Sequence, residues 1–170
     1  MVRSIFEHCS QIWSPQYASH ILKCEAVQTK AIKWINGENF ASYNDEKYYK
    51  ELKNHNILPM KFKFMYNDLN LFYKIVNKLV PIDFPSYITV VVPEGTRYTR
   101  SSAAVHEKTD FTLYSCKMIP SNDAFRHSYF YRTVLNWNKL PIFVRQSEGL
   151  TTFKRTLKSF LWSVESEWPD

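Results

Sequence analysis

Residues 59–79 read PMKFKFMYNDLNLFYKIVNKL and predict the longest helix of the chain. Its apolar side chains recur at three- and four-residue steps over about five turns, which is the period of a helix that buries one face. Pro59 suits the first turn of such a helix, where a missing N–H costs nothing. Residues 61–64, KFKF, alternate like a strand, but the longer helical period outweighs them and predicts one helix across the whole stretch.

Five more helices are predicted around this one, over residues 1–13, 21–36, 42–54, 122–140 and 151–164. The helix over 21–36 has an apolar stripe that we expect to face the core, made of Ile21, Cys24, Val27, Ala31, Trp34 and Ile35. Asn36-Gly37 is typical of a left-handed helix end, and Ser42 and Asn122 are typical N-caps.

Prolines 81, 85 and 93 interrupt any regular structure between residues 80 and 96, where a short extended piece is expected at 88–92. Residues 97–118 are rich in hydroxyl and β-branched side chains and predict a hairpin. The predicted fold class is mainly α, a helical bundle of about six helices with a small β-hairpin or extended segment in the second half. The predicted regions are a helical part at 1–80, a connector at 81–97, a C-terminal region at 98–164 and an acidic tail at 165–170.

Composition excludes several classes of protein. Of the 170 residues, 45% are apolar and 16% aromatic, which excludes a disordered chain. The three glycines are far apart, so no phosphate-binding glycine loop can be written. Three cysteines at irregular spacing fit neither a disulfide framework nor a paired-cysteine zinc site. With no apolar run long enough to span a bilayer, we expect an intracellular protein of the cytoplasm or nucleus.

No catalytic constellation stands out in the sequence. Asp45-Glu46 is the nearest pair of carboxylates, and its place at a helix start favours capping over acid–base chemistry. Polymerase chemistry needs adjacent aspartates for two metal ions, and the nearest approach is the single Asp68. We therefore expect a non-enzyme without cofactor or metal.

The net charge of +6 lies mainly towards the C-terminal end. Residues 111–163 contain eight basic and two acidic side chains, whereas residues 1–110 have a net charge of +3. Such a region suits a polyanion such as nucleic acid, although a solvated basic face explains the same excess. At helical spacing, core packing is the favoured role of the aromatic residues Phe130, Trp137 and Phe153.

Several segments, in order, resemble the C-terminal part of the reverse transcriptases of non-LTR, LINE-type retrotransposons of the jockey-like group. Residues 2–15, VRSIFEHCSQIWSP, are similar to that family's VRPILEYCSPIWSP, and residues 25–31, EAVQTKA, to its EKVQRRA. The most specific match is Arg132, then WNKLP at 137–141, then LTTFKRTL at 150–157. Shorter matches are Asp68-Leu69, YKI at 73–75 and Thr99-Arg100.

The resemblance implies that the first helices correspond to the polymerase thumb and the remainder to the extension that follows it. The fingers, the palm with its paired aspartates and the endonuclease have no counterpart in this sequence, so we expect a non-catalytic, truncated element. It implies weak, sequence-independent binding of RNA or an RNA–DNA hybrid, and a palm supplied in trans as a possible partner. The candidate nucleic-acid-binding residues are Lys30, Lys33, Arg100, Arg126, Arg132, Lys154, Arg155 and Lys158.

Two alternatives stay open at this point. One is a helical protein-interaction module with an exposed apolar face, since the charge of residues 1–110 is nearly balanced. The other is a remnant of the element without a function.

Overall fold

Helices make up most of the computed structural model, which describes residues 2–37, 46–91 and 113–164. They are α1 (Val2–Glu7), α2 (Ser10–Trp13), α3 (Ala18–Asn36), α4 (Glu46–Asn54), α5 (Met60–Val76), α6 (Asp123–Arg126), α7 (Tyr129–Lys139), α8 (Ile142–Arg145) and α9 (Leu150–Ser163). Strands β1 (Ile88–Val91) and β2 (Leu113–Cys116) pair antiparallel, with Ile88 opposite Cys116. The predicted fold class, mainly helical with a small extended element in the second half, is confirmed.

The described residues contain nine helical segments where six helices were predicted. The first predicted helix is wrong as a single piece, because it divides at Cys9, whose φ of 50° is left-handed, into α1 and α2. The helix predicted from Asn122 also divides. The Asn122 side chain accepts from the Phe125 N–H at 2.8 Å and caps only α6, and the extended backbone of Ser128 then begins α7. α8 was not predicted, because four residues are too few to show a period.

The two strands correct the predicted hairpin. β1 is the extended piece expected among the prolines, and it supplies the partner for β2, whereas the prediction placed both strands within 97–118. Residues 97–112, the predicted cap Ser42 and the acidic tail at 165–170 lie outside the described residues.

The chain divides into two compact units, Met1–Asp68 with Lys158–Asp170, and Leu69–Leu157. These units do not test the predicted domain boundaries at 80, 97 and 164, which stay a prediction. Among the described residues, no helix combines the length and the apolar character needed to cross a membrane.

The first unit is centred on Ile32 of α3 and on Tyr48 and Leu52 of α4, all buried. Tyr49, Ile57 and Trp162 pack around them. α4 ends with the Ile57 N–H donating to the Leu52 carbonyl at 2.8 Å, around the left-handed Asn56. The C-terminal half of α3 is thereby packed against α4 through Ile32. Its N-terminal half is positioned by polar contacts of Glu25.

The second unit has an aromatic core. The Phe72 ring lies 5.3 Å from that of Tyr114 and 5.1 Å from that of Trp137, and Tyr73 stacks on Phe153 at 4.2 Å. Trp137 and Phe153 are buried, as predicted from their spacing. Phe130 is half-buried against the ring of Phe84.

The amide of Asn138 joins α7 to the sheet. Its Nδ2 donates to the Tyr114 carbonyl at 2.7 Å and its Oδ1 accepts from the Tyr114 N–H at 3.1 Å, so one side chain satisfies both backbone groups of this β2 residue. Leu140, two residues later, is buried. The WNKLP segment thus has a structural role in this unit.

Candidate nucleic-acid interface

The inward face of α3 is polar. Glu25, Gln28, Thr29 and Ile32 are its buried residues, and they recur at helical spacing. The predicted apolar stripe of this helix is wrong, since Trp34 is 89% exposed and Val27 and Ile35 are exposed as well. Glu25, Gln28 and Ile32 each follow a predicted residue by one position, so the helix is turned by ~100° from the expected orientation.

The Glu25 carboxylate binds three donors from two other helices and its own. Oε2 accepts from the backbone N–H of Met60 at 2.6 Å, and Oε1 accepts from the Tyr48 hydroxyl and from Gln28 Nε2 at 3.2 Å. Met60 is the first residue of α5, where backbone N–H groups are unpaired and the helix dipole favours a negative charge. The physical reason for the turned helix is therefore that the Glu25 carboxylate finds its donors at the start of α5 and on α4.

Gln28 extends this network. Besides Glu25, its Nε2 contacts the Tyr48 hydroxyl oxygen at 3.2 Å and the Leu58 carbonyl at 3.3 Å. The Thr29 hydroxyl donates to the Glu25 carbonyl one turn earlier at 2.9 Å. Together these contacts connect α3, α4 and the segment that leads into α5.

The surroundings of Tyr48 and Cys24 keep both groups protonated at neutral pH. Burial, and then the neighbouring Glu25 carboxylate, raise the pKa of the Tyr48 phenol, which therefore stays protonated and donates. Burial and the same carboxylate also raise the pKa of the Cys24 thiol. Cys24 is consequently an uncharged, partly buried thiol.

The outward face of α3 carries lysines and a tryptophan in one line. Lys23, Val27, Lys30 and Trp34 are all exposed and follow one another at steps of four, three and four residues. Residues so spaced share one side of a helix. The line therefore alternates cationic and apolar side chains over about three turns; we call it the α3 face.

The electrostatics of the α3 face are one-sided. Glu25 is the only acidic residue of α3, and it is 6% exposed with its oxygens bonded inward. Within the part of the chain that the structure describes, Lys23 and Lys30 form no ion pair. The helix consequently presents its positive charges without a competing carboxylate of its own.

Two predicted binding residues, Lys30 and Lys33, lie on α3. Lys30 is exposed at the centre of the α3 face. Lys33 is partly exposed in the last turn, beside that line. Lys23 and Trp34 belong to the same face but were not predicted, because the sequence assigned Trp34 to the buried stripe. The signal that could have identified them is Glu25, because its carboxylate is bonded at the start of α5. With Glu25 facing inward, Lys23 and Trp34 lie on the opposite side of the helix.

The predicted arginines of the second unit differ in exposure. Arg126 is exposed, and its Nη1 lies 3.6 Å from the Asp123 carboxylate. Arg132 is buried, and its Nη1 donates to the His127 carbonyl at 2.6 Å while the guanidinium lies over the Tyr129 ring. Arg132 therefore serves packing within α6 and α7 rather than an open surface. Arg100 lies outside the described residues.

The remaining predicted residues lie on α9, whose residues are assigned to the second unit up to Leu157 and to the first unit from Lys158. Lys154 and Arg155 are exposed and belong to the second unit. Lys158 belongs to the first unit, where it is only partly exposed and donates to the Asn56 carbonyl at 2.6 Å. Lys158 thus holds the end of α4, and the three residues are not equivalent.

Metal ligands and clefts are the other features of the described residues that bear on function. Within residues 2–37, 46–91 and 113–164, no group of three His, Cys, Asp or Glu side chains is placed to hold a metal ion. An open cleft of about 490 Å³ lies in the second unit between the end of α5 and residues 78–84. Its lining is apolar apart from Lys78 and Asp83, so it does not bring together an acid, a base and a nucleophile.

Comparison of the chain with protein-family models, with curated proteins and with solved structures finds no match.

Proposed function

We propose that this protein is a non-catalytic relative of the thumb and post-thumb region of non-LTR reverse transcriptases, and that it binds RNA or an RNA–DNA hybrid weakly and without sequence preference. The observation that supports the binding is the α3 face, on which Lys23 and Lys30 are exposed while the one carboxylate of the helix is bonded inward. The ordered motifs in the sequence support the ancestry.

The proposed contact is electrostatic. Lysines that approach phosphates release the counterions condensed on the nucleic acid, and this contributes affinity for every sequence alike. An acidic side chain on the same face would cancel part of that attraction, because opposite charges on one helix surface are close neighbours. The inward Glu25 removes this competition on α3.

The test compares double variants that each remove two positive charges. In Lys23→Ala/Lys30→Ala, both residues of the α3 face are changed. Lys154→Ala/Arg155→Ala removes the exposed pair on α9, and Lys50→Ala/Lys117→Ala is the control with two exposed lysines elsewhere. Binding of a fluorescent RNA is measured by anisotropy over a range of salt concentrations.

We expect the α3 variant to flatten the dependence of log K on log salt by about 1.4 for single-stranded RNA, since each phosphate contact contributes about 0.7. The control variant should leave the slope unchanged. A slope that falls in the α9 variant and not in the α3 variant would place the contact on α9. If all three variants keep the wild-type slope of log K against log salt, neither the α3 face nor the exposed pair on α9 contacts phosphates.

A protein-interaction function is favoured by exposed apolar side chains on α1 and α2. Ile12 of α2 is 84% exposed and Ile5 of α1 is also exposed, so two consecutive helices of the first unit each present a branched apolar side chain to solvent. A helical protein-interaction module would use such side chains. Sedimentation velocity at increasing concentration tests it: association that Ile5→Ser/Ile12→Ser abolishes would support this function, and a concentration-independent monomer would contradict self-association through these residues.

A further inference from the structure

We infer that the α3 face selects single-stranded nucleic acid, with Trp34 stacking on an unpaired base. This inference rests on the proposed function, and it specifies which form of nucleic acid the same surface prefers. It depends on Trp34, which phosphate attraction does not involve.

Trp34 is the aromatic side chain of the α3 face, and attraction to phosphates does not explain its exposure. Its indole is 89% exposed, next to Lys30 one turn before it. An exposed indole with a lysine one turn before it provides a stacking surface for a base and a cation for a neighbouring phosphate. Bases in a duplex are stacked on each other and present only their edges, so an indole reaches a base face where the strand is unpaired.

The length of the face sets the length of strand it contacts. Lys23 and Trp34 are eleven residues apart on α3, or about 16 Å along the helix axis. A stacked strand advances ~3.4 Å per nucleotide, so the face matches about five nucleotides. Lys23 and Lys30, about 10 Å apart, match phosphates about three nucleotides apart.

The chemistry distinguishes stacking from simple apolar contact. Tyrosine retains an aromatic face, whereas leucine retains apolar bulk without one. Replacing Trp34 by each of these therefore separates the two contributions. Phe143, an exposed aromatic residue of α8, is the matched control for removal of a surface ring.

The experiment measures anisotropy of labelled oligouridine of about six nucleotides and of a labelled RNA duplex long enough to stay paired, at the same low salt concentration. The wild-type protein should bind the single strand more tightly. Trp34→Ala and Trp34→Leu should each weaken single-strand binding about 5- to 150-fold while duplex binding is unchanged. Trp34→Tyr should retain most of the affinity, and Phe143→Ala all of it. An oligouridine of about three nucleotides should bind more weakly than the longer one, since it cannot reach from Lys23 to Trp34.

The outcomes separate this inference from the proposed function. If Trp34→Ala does not weaken single-strand binding but Lys23→Ala/Lys30→Ala lowers the salt slope, the phosphate surface stands and the single-strand preference is wrong. Wild-type affinity in Trp34→Leu would mean apolar contact and would overturn stacking. Equal losses on single strand and duplex would overturn the preference as well. If Trp34→Ala leaves RNA binding intact and abolishes association between protein molecules, the α3 face is a protein surface and the inference fails.

Discussion

Replacement of Glu25 by alanine tests the turned orientation of α3, on which the α3 face depends. The substitution removes the carboxylate that accepts from the Met60 N–H at 2.6 Å and from the Tyr48 hydroxyl. Met60 and Tyr48 are both fully buried, so bulk solvent does not reach the two donors.

The expected loss follows from these two donors. A buried donor left without a partner costs about 1–3 kcal/mol, so the pair predicts a loss of roughly 2–6 kcal/mol in the free energy of unfolding. The favourable position of the carboxylate at the start of α5 adds about 0.3–1 kcal/mol. Glu25→Gln should lose less, about 1–3 kcal/mol, because its amide oxygen can still accept from one donor.

The assay is denaturant unfolding followed by far-ultraviolet circular dichroism, together with hydrogen exchange of the α3 amides, which reports on the first unit by itself. Glu148, an exposed carboxylate of the second unit, is the control, and Glu148→Ala should change stability by no more than about 0.5 kcal/mol. Exchange at α3 should accelerate in Glu25→Ala and stay unchanged in Glu148→Ala.

A loss in Glu25→Ala as small as in Glu148→Ala would contradict the inward position of Glu25. It would mean that the carboxylate is solvated and that the apolar stripe of α3 faces the other helices, as its spacing predicts. Lys23 and Lys30 would then lie at the side of the packed helix rather than opposite the core.

Three further predictions concern stability. Burial raises the pKa of Tyr114 to about 12, above the ~10 of an exposed tyrosine. The unfolded state therefore loses this proton first, and the stability that the neutral phenol contributes is lost between pH ~10 and ~12, by about 1.4 kcal/mol per pH unit. Unfolding measured at pH ~9 and ~11 should show this loss, and a loss just as large in Tyr114→Phe would contradict it. Gly37 has a φ of 64° with nothing within 4 Å of an added Cβ, so Gly37→Ala should lower stability by about 1–2 kcal/mol through backbone strain alone, and unchanged thermal melting would contradict it. Phe153 is fully buried and stacked on Tyr73, so Phe153→Ala should cost about 3–5 kcal/mol in denaturant unfolding, whereas exposed Phe143→Ala should cost little.

Long periodic segments could be predicted from the sequence, and short or non-local features could not. The helix predicted over residues 59–79 is α5, Met60–Val76, and the left-handed Gly37 ends α3 as its sequence indicates. The division at Cys9 had no local signal, because the apolar spacing of residues 1–13 continues across it. The pairing of β1 with β2 depends on residues far apart in the chain, which a local pattern cannot show.

The candidate site was predicted only in part for a related reason. Lys30 and Lys33 were identified as cations on the correct helix, but its inward face was assigned by apolar periodicity. That rule fails where buried polar groups have partners, and the partner of Glu25 is a backbone N–H at position 60, remote in sequence. Arg132 is a second example. Its segment is basic and aromatic in sequence, but its guanidinium is buried and donates to a backbone carbonyl.

The most direct test of the central claim is a titration of ¹⁵N-labelled protein with oligouridine of about six nucleotides, followed by amide and indole chemical shifts. The largest shifts should occur at Lys23, Val27, Lys30 and Trp34, including the Trp34 indole N–H, and they should diminish with salt. Shifts confined to Lys154 and Arg155 of α9, or to Ile5 and Ile12, or no shifts at low salt, would contradict a nucleic-acid interface on α3.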